Sequence, residues 1–137
     1  MPQIQKILTF NTNNKSIINI TDRVEREIKE CLISNGLLNL FVLNTSCSLM
    51  IQENADPNVL KDIRNFLEEL APEKNYFHNS EGSDDMPAHL KSLLTNTQLT
   101  LSIIDKKLAL GIWQGIYLLE HRVSDKLRNI NFHFIGE

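Results

Sequence analysis

The connections between apolar segments in this chain are short, and this feature constrains the fold most. Residues 4–10 and 16–20 alternate apolar and polar side chains around the polar cluster at 11–14, which predicts an opening hairpin. Apolar segments at 37–43, 47–52, 98–104, 108–118 and 127–135 predict further strands, with a tight turn at 105–107. Because parallel strands need a crossover of about a dozen residues or more, these short turns favour antiparallel pairing.

Helix signals fall between the strands. Thr21 and Asp22 are candidate N-caps, with Glu25 as a capping-box partner, and the first helix ends before Gly36. Its predicted buried face consists of Val24, Ile28, Cys31 and Leu32.

The second helix has the strongest start signal in the chain. Asp56 is a good N-cap and Pro57 suits the first helical position, while Pro72 ends the helix. Its apolar stripe is Val59, Leu60, Ile63, Phe66, Leu67 and Leu70. After a polar loop at 73–86, a short third helix is predicted at 87–94.

The order of elements is two strands, a helix, two strands, two helices and three strands. A chain of 137 residues has the length of one domain. We therefore expect a single α+β domain over residues 1–137, with a mixed, largely antiparallel sheet and helices on one face.

Composition excludes several classes of function. A net charge of -3 and a pI near 5.8 argue against a dedicated nucleic-acid-binding protein. No apolar run approaches the roughly 20 residues that a membrane-spanning helix needs, so we expect no membrane association. The start of the chain lacks a secretory leader pattern, and Cys31 and Cys47 have no neighbouring cysteine, so we expect a cytoplasmic protein with reduced, structural cysteines.

The densest polar cluster lies between the 73–86 loop and the third helix. His78, Asp84, Asp85, His89 and Lys91 all fall within fourteen residues, a set that can bind a divalent metal or transfer protons. Asp85 and His89 share a helix face only if the helix begins by residue 85, which Pro87 makes uncertain. On the residues alone, a solvent-exposed loop with incidental histidines is the favoured interpretation.

Other polar residues have simpler explanations at this level. Lys91 and Arg122 can bind phosphate, although scattered surface cations are the commoner interpretation. Trp113 and Gln114 fall in an apolar segment and are interpreted first as core packing. The glycines match neither common phosphate-binding loop pattern.

Three longer motifs resemble one protein family. Residues 52–57 (QENADP), 85–91 (DMPAHLK) and 108–117 (LALGIWQGIY) strongly resemble the YjbQ-like family, in the same order and at similar separations. The resemblance implies a small intracellular α+β protein that forms a homotrimer, in a family associated with secondary thiamine-phosphate synthase activity or with no assigned function.

The resemblance also implies a site near a subunit interface. Its catalytic residues would be His78, Asp85, His89 and Glu53, with the two histidines and Asp85 also holding a divalent metal, Mg²⁺ or Zn²⁺. Residues that would bind a phosphorylated substrate are Lys91, Asn54, Trp113, Gln114, Arg122 and Asn44. Joining a pyrimidine pyrophosphate to a thiazole phosphate requires neutralising the departing pyrophosphate, which a metal assisted by Lys91 or Arg122 can do.

This chain departs from the family pattern at three positions. Asn44 stands where the family has a histidine, and an amide neither carries protons nor ligates transition metals well. Ile112 replaces a small hydroxyl residue, and Lys106 replaces a turn glycine. Three hypotheses remain: a weak thiamine-phosphate synthase, a non-catalytic binding module for a metal or phosphorylated metabolite, and a structural interaction protein.

Overall fold

The computed structural model describes residues 1–137, which form two antiparallel sheets and three helices. The strand order is β1-β8-β3-β5-β6 in the larger sheet and β2-β7-β4 in the smaller one. The elements are β1 (Gln3–Thr12), β2 (Ile17–Asn19), α1 (Thr21–Lys29), β3 (Gly36–Val42), β4 (Cys47–Glu53), α2 (Pro57–Leu70), α3 (Asp85–Leu94), β5 (Gln98–Ile104), β6 (Lys107–Leu108), β7 (Gln114–Glu120) and β8 (Lys126–Gly136).

The main core lies between the two sheets. Inward-facing residues of the larger sheet, such as Leu40 and Phe132, share one cluster with Leu49 and Leu118 of the smaller sheet. Val24 and the rest of the buried face of α1 belong to the same cluster. Strand β8 alternates buried and more exposed residues, as expected for a strand with one face on the core.

The smaller sheet is covered on its second face as well. Leu67 of α2 packs with Met50, Tyr117 and Leu119 in a separate cluster, and α3 contacts β4. Six of the seven residues of β7 are therefore buried in succession. The predicted α+β class with antiparallel strands is confirmed, and the strands form two sheets around a shared core.

The opening hairpin was a wrong prediction. β1 pairs with β8 and β2 pairs with β7, so the two predicted hairpin strands belong to different sheets. The turn between them holds Asn14 and Lys15 at φ 51° and 52°, and their amides donate to the carbonyls of Val123 and Arg122. Long-range pairing with later strands therefore overrides the local hairpin signal.

Several burial predictions were also wrong. The predicted 108–118 strand is interrupted between β6 and β7, and this leaves Trp113 63% exposed instead of packed in the core. Leu32 lies beyond the end of α1 and is exposed. Phe66 and Leu70, which were predicted to belong to the buried stripe of α2, are also exposed. The start of α1 is held by Asn19, whose Oδ1 accepts from Thr21, and not by a capping box.

Other local predictions are confirmed. Asp56 Oδ1 accepts from the Asn58 amide at the start of α2, with Pro57 as the first helical residue. Cys31 and Cys47 are free and buried. No helix combines the length and the apolar character needed to cross a bilayer.

Candidate functional site

The first turn of α3 determines the geometry of the polar cluster. The helix begins at Asp85, two residues earlier than predicted. Pro87 is tolerated because an amide in the first turn of a helix has no partner within the helix. Asp85 and His89 therefore lie one turn apart on the same face, the arrangement that the sequence left conditional.

His78 reaches this face from the loop that precedes the helix. Its Nε2 lies 2.6 Å from Asp85 Oδ2, and Nε2 of His89 lies 3.1 Å from the same oxygen. The two imidazole centroids are 5.4 Å apart. One ligand atom from each of the three residues lies within 4.8 Å of the others. We call these three residues the histidine–aspartate cluster.

Arg122 orients the carboxylate of this cluster. Its Nη1 donates to Asp85 Oδ1 at 2.6 Å, its Nε donates to Asp84, and its Nη2 donates to the Glu81 carbonyl. Burial raises the pKa of Asp85, but hydrogen bonding from His78 and the charge of Arg122 outweigh it, so the pKa lies below its ordinary value. Arg122 thus holds Asp85 ionised and in place, and its predicted role in binding phosphate would compete with these contacts.

The contacts of His89 define which of its nitrogens carries hydrogen. Nδ1 lies 2.8 Å from the Thr45 carbonyl oxygen, which can only accept, so Nδ1 donates. In a neutral His89, Nε2 then carries a lone pair that faces the Asp85 carboxylate at 3.1 Å. Two acceptors at this distance repel each other unless a proton or a metal ion lies between them.

The Asn44 side chain is engaged within its own loop, next to this cluster. Its Oδ1 accepts from the amides of Ser46 and Cys47, and its Nδ2 donates to the Cys47 sulfur. The same loop presents the Thr45 carbonyl to His89. Asn44 therefore shapes the loop that positions His89, and both of its polar atoms have partners.

Lys91 does not share the exposed face of the cluster. Its side chain is fully buried and its Nζ donates to Glu68 Oε1 at 2.6 Å. Burial lowers the pKa of Lys91, and Glu68 opposes that shift. A direct contact of Lys91 with a substrate phosphate would require breaking this buried ion pair.

The remaining predicted site residues lie at the other end of the smaller sheet. Glu53 ends β4 and Gln114 begins β7, and these two residues pair across the strands. The six residue steps of β4 separate this end from the Cys47 end by roughly 20 Å. Asn54 Nδ2 donates to the carbonyls of Ile112 and Gln114, which holds the turn that exposes Trp113. Within one chain, these residues do not converge on the histidine–aspartate cluster.

A buried ionic network, which was not predicted from the sequence, adjoins the loop that carries Asn44. Arg128 donates to both oxygens of Glu120 at 2.6 Å and to Ser46 Oγ at 2.8 Å. A signal was present, because Arg128 falls in the same alternating register as the buried Ile130 and Phe132 of β8. This network anchors the loop that carries Asn44.

His121 forms a second buried polar group. Its Nε2 lies 2.8 Å from Ser48 Oγ, and burial together with the nearby Arg64 and Lys91 lowers its pKa to about 3. His121 is therefore neutral at physiological pH. Both His121 and Ser48 are fully buried, so this pair does not form an accessible nucleophile.

Comparison with known proteins identifies the family. The model of the family described as "UPF0047 protein YjbQ-like" matches residues 6–137. A UPF0047 protein of Synechocystis is 43% identical over 98% of this chain and 93% of its own length. The UPF0047 protein YjbQ of Escherichia coli O157:H7 is 37% identical over 97% of this chain and 98% of its own length.

Solved structures have the same fold. An uncharacterised YjbQ/UPF0047-family protein from Clostridium acetobutylicum superposes with a TM-score of 0.83 at 32% identity, covering 96% of this chain and 99% of that one. A YbjQ-like protein of unknown function from Sulfolobus solfataricus has a TM-score of 0.87 at 22% identity, covering 99% and 100%, and supports the fold alone. With a family match over residues 6–137, the chain belongs to the YjbQ-like UPF0047 family.

Proposed function

We propose that the protein binds a divalent transition metal through the histidine–aspartate cluster and acts on a phosphorylated substrate there. The observation that carries the proposal is the short approach of His89 Nε2 to Asp85 Oδ2, 3.1 Å apart, with Nδ1 already donating to Thr45. A metal ion held by these two acceptors would remove their repulsion, as would a proton on Nε2, and metal titration distinguishes the two.

The donor set favours zinc over magnesium. Two imidazole nitrogens and one carboxylate oxygen match a catalytic zinc site, which keeps a fourth position for water or substrate. Magnesium prefers oxygen ligands. Hydrogen bonds from Arg122 to Asp85 and from His89 to Thr45 would support the ligands from behind, as outer-shell contacts do in metal sites.

The reaction that we propose is the one implied by the family resemblance, a low thiamine-phosphate synthase activity. The metal, when bound, would supply positive charge for the departing pyrophosphate. Arg122 keeps Asp85 ionised and oriented through this step. The 32% exposed His89 and the 39% exposed His78 leave the cluster open to a substrate.

Such a site is completed only by a second subunit. Glu53, Asn54 and Gln114 lie at the far end of the β4–β7 pair, so a head-to-tail contact with a neighbour is needed to bring them to a cluster. Exposed apolar side chains available for such contacts include Phe66, Leu70, Phe77, Ile112 and Trp113. We propose a homotrimer closed by these contacts.

Metal binding is tested first by titrating metal-free protein with Zn²⁺ in a calorimeter. Wild-type protein should bind one equivalent per chain, and both Asp85→Asn and His89→Ala should weaken binding at least about tenfold. His133→Ala is the matched control, since His133 bonds only Gln3 on the surface. Equal affinity in all four proteins would refute the site.

Activity is tested by incubating the metal-loaded protein with the pyrimidine pyrophosphate and the thiazole phosphate. We expect slow formation of thiamine phosphate and a faster reaction in Asn44→His. If neither protein forms product while zinc binding holds, the enzyme proposal fails. The second candidate function, a binding module that does not turn its ligand over, would then be favoured. It is consistent with Asn44, whose polar atoms are both hydrogen-bonded within its own loop.

Assembly is tested by analytical ultracentrifugation across a range of protein concentrations. A trimer should persist in wild-type protein and weaken in Trp113→Ser, because this exposed side chain lies outside the core and its loss should affect contacts between chains. Acrylamide quenching of Trp113, the single tryptophan, provides a second readout. A monomer at all concentrations would exclude a shared site.

A further inference from the structure

A pocket lies between β2 and α2, and none of its lining residues belongs to the histidine–aspartate cluster. Its volume is about 390 Å³, which is within the range of small-molecule sites. It is lined by Lys15, Ile17, Leu60, Lys61, Arg64 and Asn65. Three of these six residues are cations and none is acidic.

The charges around this pocket do not balance. Glu68 is the acidic partner in the layer beneath it, and its two oxygens are already bonded to Lys15 and Lys91. Lys61 has no ion pair, and Arg64 reaches only the carbonyl oxygen of Glu120, at a long 3.4 Å. Of these four cations, only Lys15 and Lys91 are bonded to a carboxylate.

Two buried polar atoms in this region also lack partners. Arg64 Nη2 and His121 Nδ1 are shielded from solvent and have no hydrogen bond. A buried guanidinium nitrogen left unpaired is costly, since hydrogen bonds to charged groups are the strong ones. The Arg64 guanidinium is therefore under-bonded, and a small rotation of its side chain would be needed to turn Nη2 toward a ligand in the pocket.

We propose that this pocket binds the phosphate group of a small phosphate monoester. The Arg64 guanidinium and the ammonium groups of Lys15 and Lys61 would donate to the phosphate oxygens. Ile17 and Leu60 offer an apolar wall to the organic part of the ligand. This site uses no residue of the histidine–aspartate cluster, so it does not depend on the proposed metal chemistry.

The positions of the cations support a built site. Lys15 sits in the left-handed turn that joins the two sheets, and its amide is tied to the Arg122 carbonyl. Lys61 and Arg64 are three residues apart on α2, so both side chains lie on one face of that helix. The pocket is thus formed by a fixed turn on one side and a helix face on the other.

The experiment is calorimetric titration of the full-length protein with phenyl phosphate and with inorganic phosphate at low ionic strength. Arg64→Gln should weaken phenyl phosphate binding about tenfold or more, because it removes a charge-assisted donor. Lys61→Gln should weaken it several-fold, and this exposed position should not affect folding. The matched control is Lys29→Gln, an exposed cation at the end of α1, which should change affinity less than twofold.

The outcomes separate this site from the metal site. Binding that persists with a chelator and in Asp85→Asn, but falls in Arg64→Gln and Lys61→Gln, supports the proposal. No binding by wild-type protein at millimolar phenyl phosphate, or equal binding by all variants, overturns it. Equal affinity for phenyl phosphate and inorganic phosphate would overturn the assignment of an ester as the ligand.

Discussion

The buried ion pair of Glu120 and Arg128 should be a major determinant of stability, and Glu120→Gln tests it. The side chain of Glu120 is fully buried and that of Arg128 is 7% exposed. Burial raises the pKa of Glu120, but hydrogen bonds from Arg128, from Thr12 and from the Arg122 amide lower it below its ordinary value. The carboxylate is therefore charged and fully hydrogen-bonded in the folded protein.

The substitution keeps the shape of the side chain and removes its charge. Arg128 would remain buried as an uncompensated cation, and the amide NH₂ group of the new side chain would face one of its donors. Breaking a buried pair by changing one partner costs about 3–5 kcal/mol. For a domain with a typical stability of about 5–15 kcal/mol, this is a large part of the total.

Urea unfolding followed by circular dichroism measures the effect. The matched control is Glu69→Gln, an exposed glutamate of α2 without an ion pair, which should change the free energy of unfolding by less than about 0.5 kcal/mol. A loss below about 1 kcal/mol in Glu120→Gln, with an unchanged urea slope, would show that the burial and bonding of this pair do not determine stability as argued.

Two further predictions concern pH and close packing. His121 binds a proton near pH 6.5 when unfolded but only near pH 3 when folded, so wild-type protein should lose about 2 kcal/mol of stability between about pH 7.5 and pH 5. The free energy of unfolding of His121→Gln should fall by about 2 kcal/mol less than that of wild-type protein over the same interval. If urea titrations give the two proteins the same pH dependence, His121 is not the titrating group. Gly36→Ala should destabilise by about 3 kcal/mol in urea, because the added Cβ would lie 2.0 Å from the Ile135 carbonyl oxygen. Gly111→Ala, which meets only the flexible Gln114 side chain, should cost less than about 1 kcal/mol, and equal costs would contradict the packing argument.

Local sequence signals predicted the elements whose causes are local. The Asp56–Pro57 start of α2 depends on one side chain and the next few amides, and it appears as expected. The tight turn after β5 holds Asp105 and Lys106 at φ 50° and 61°, a conformation that glycine adopts without strain. The spacing of four residues between Asp85 and His89 also predicted a shared helix face, on the condition that α3 begins by Asp85. The sequence did not determine where α3 begins.

The sequence alone predicted a small acidic α+β chain with antiparallel strands, and it placed two histidines and an aspartate within one short segment. Only the tertiary structure decided that β1 pairs with β8, that Thr45 and Arg122 brace the cluster, and that Lys91 is buried against Glu68. Caps and turns depend on interactions within a few residues, so short segments of the sequence suffice to predict them. Strand partners and buried ion pairs result from competition among distant segments, such as Gln3 of β1 and its partner Ile135 of β8. No local pattern determines which of the competing segments pair.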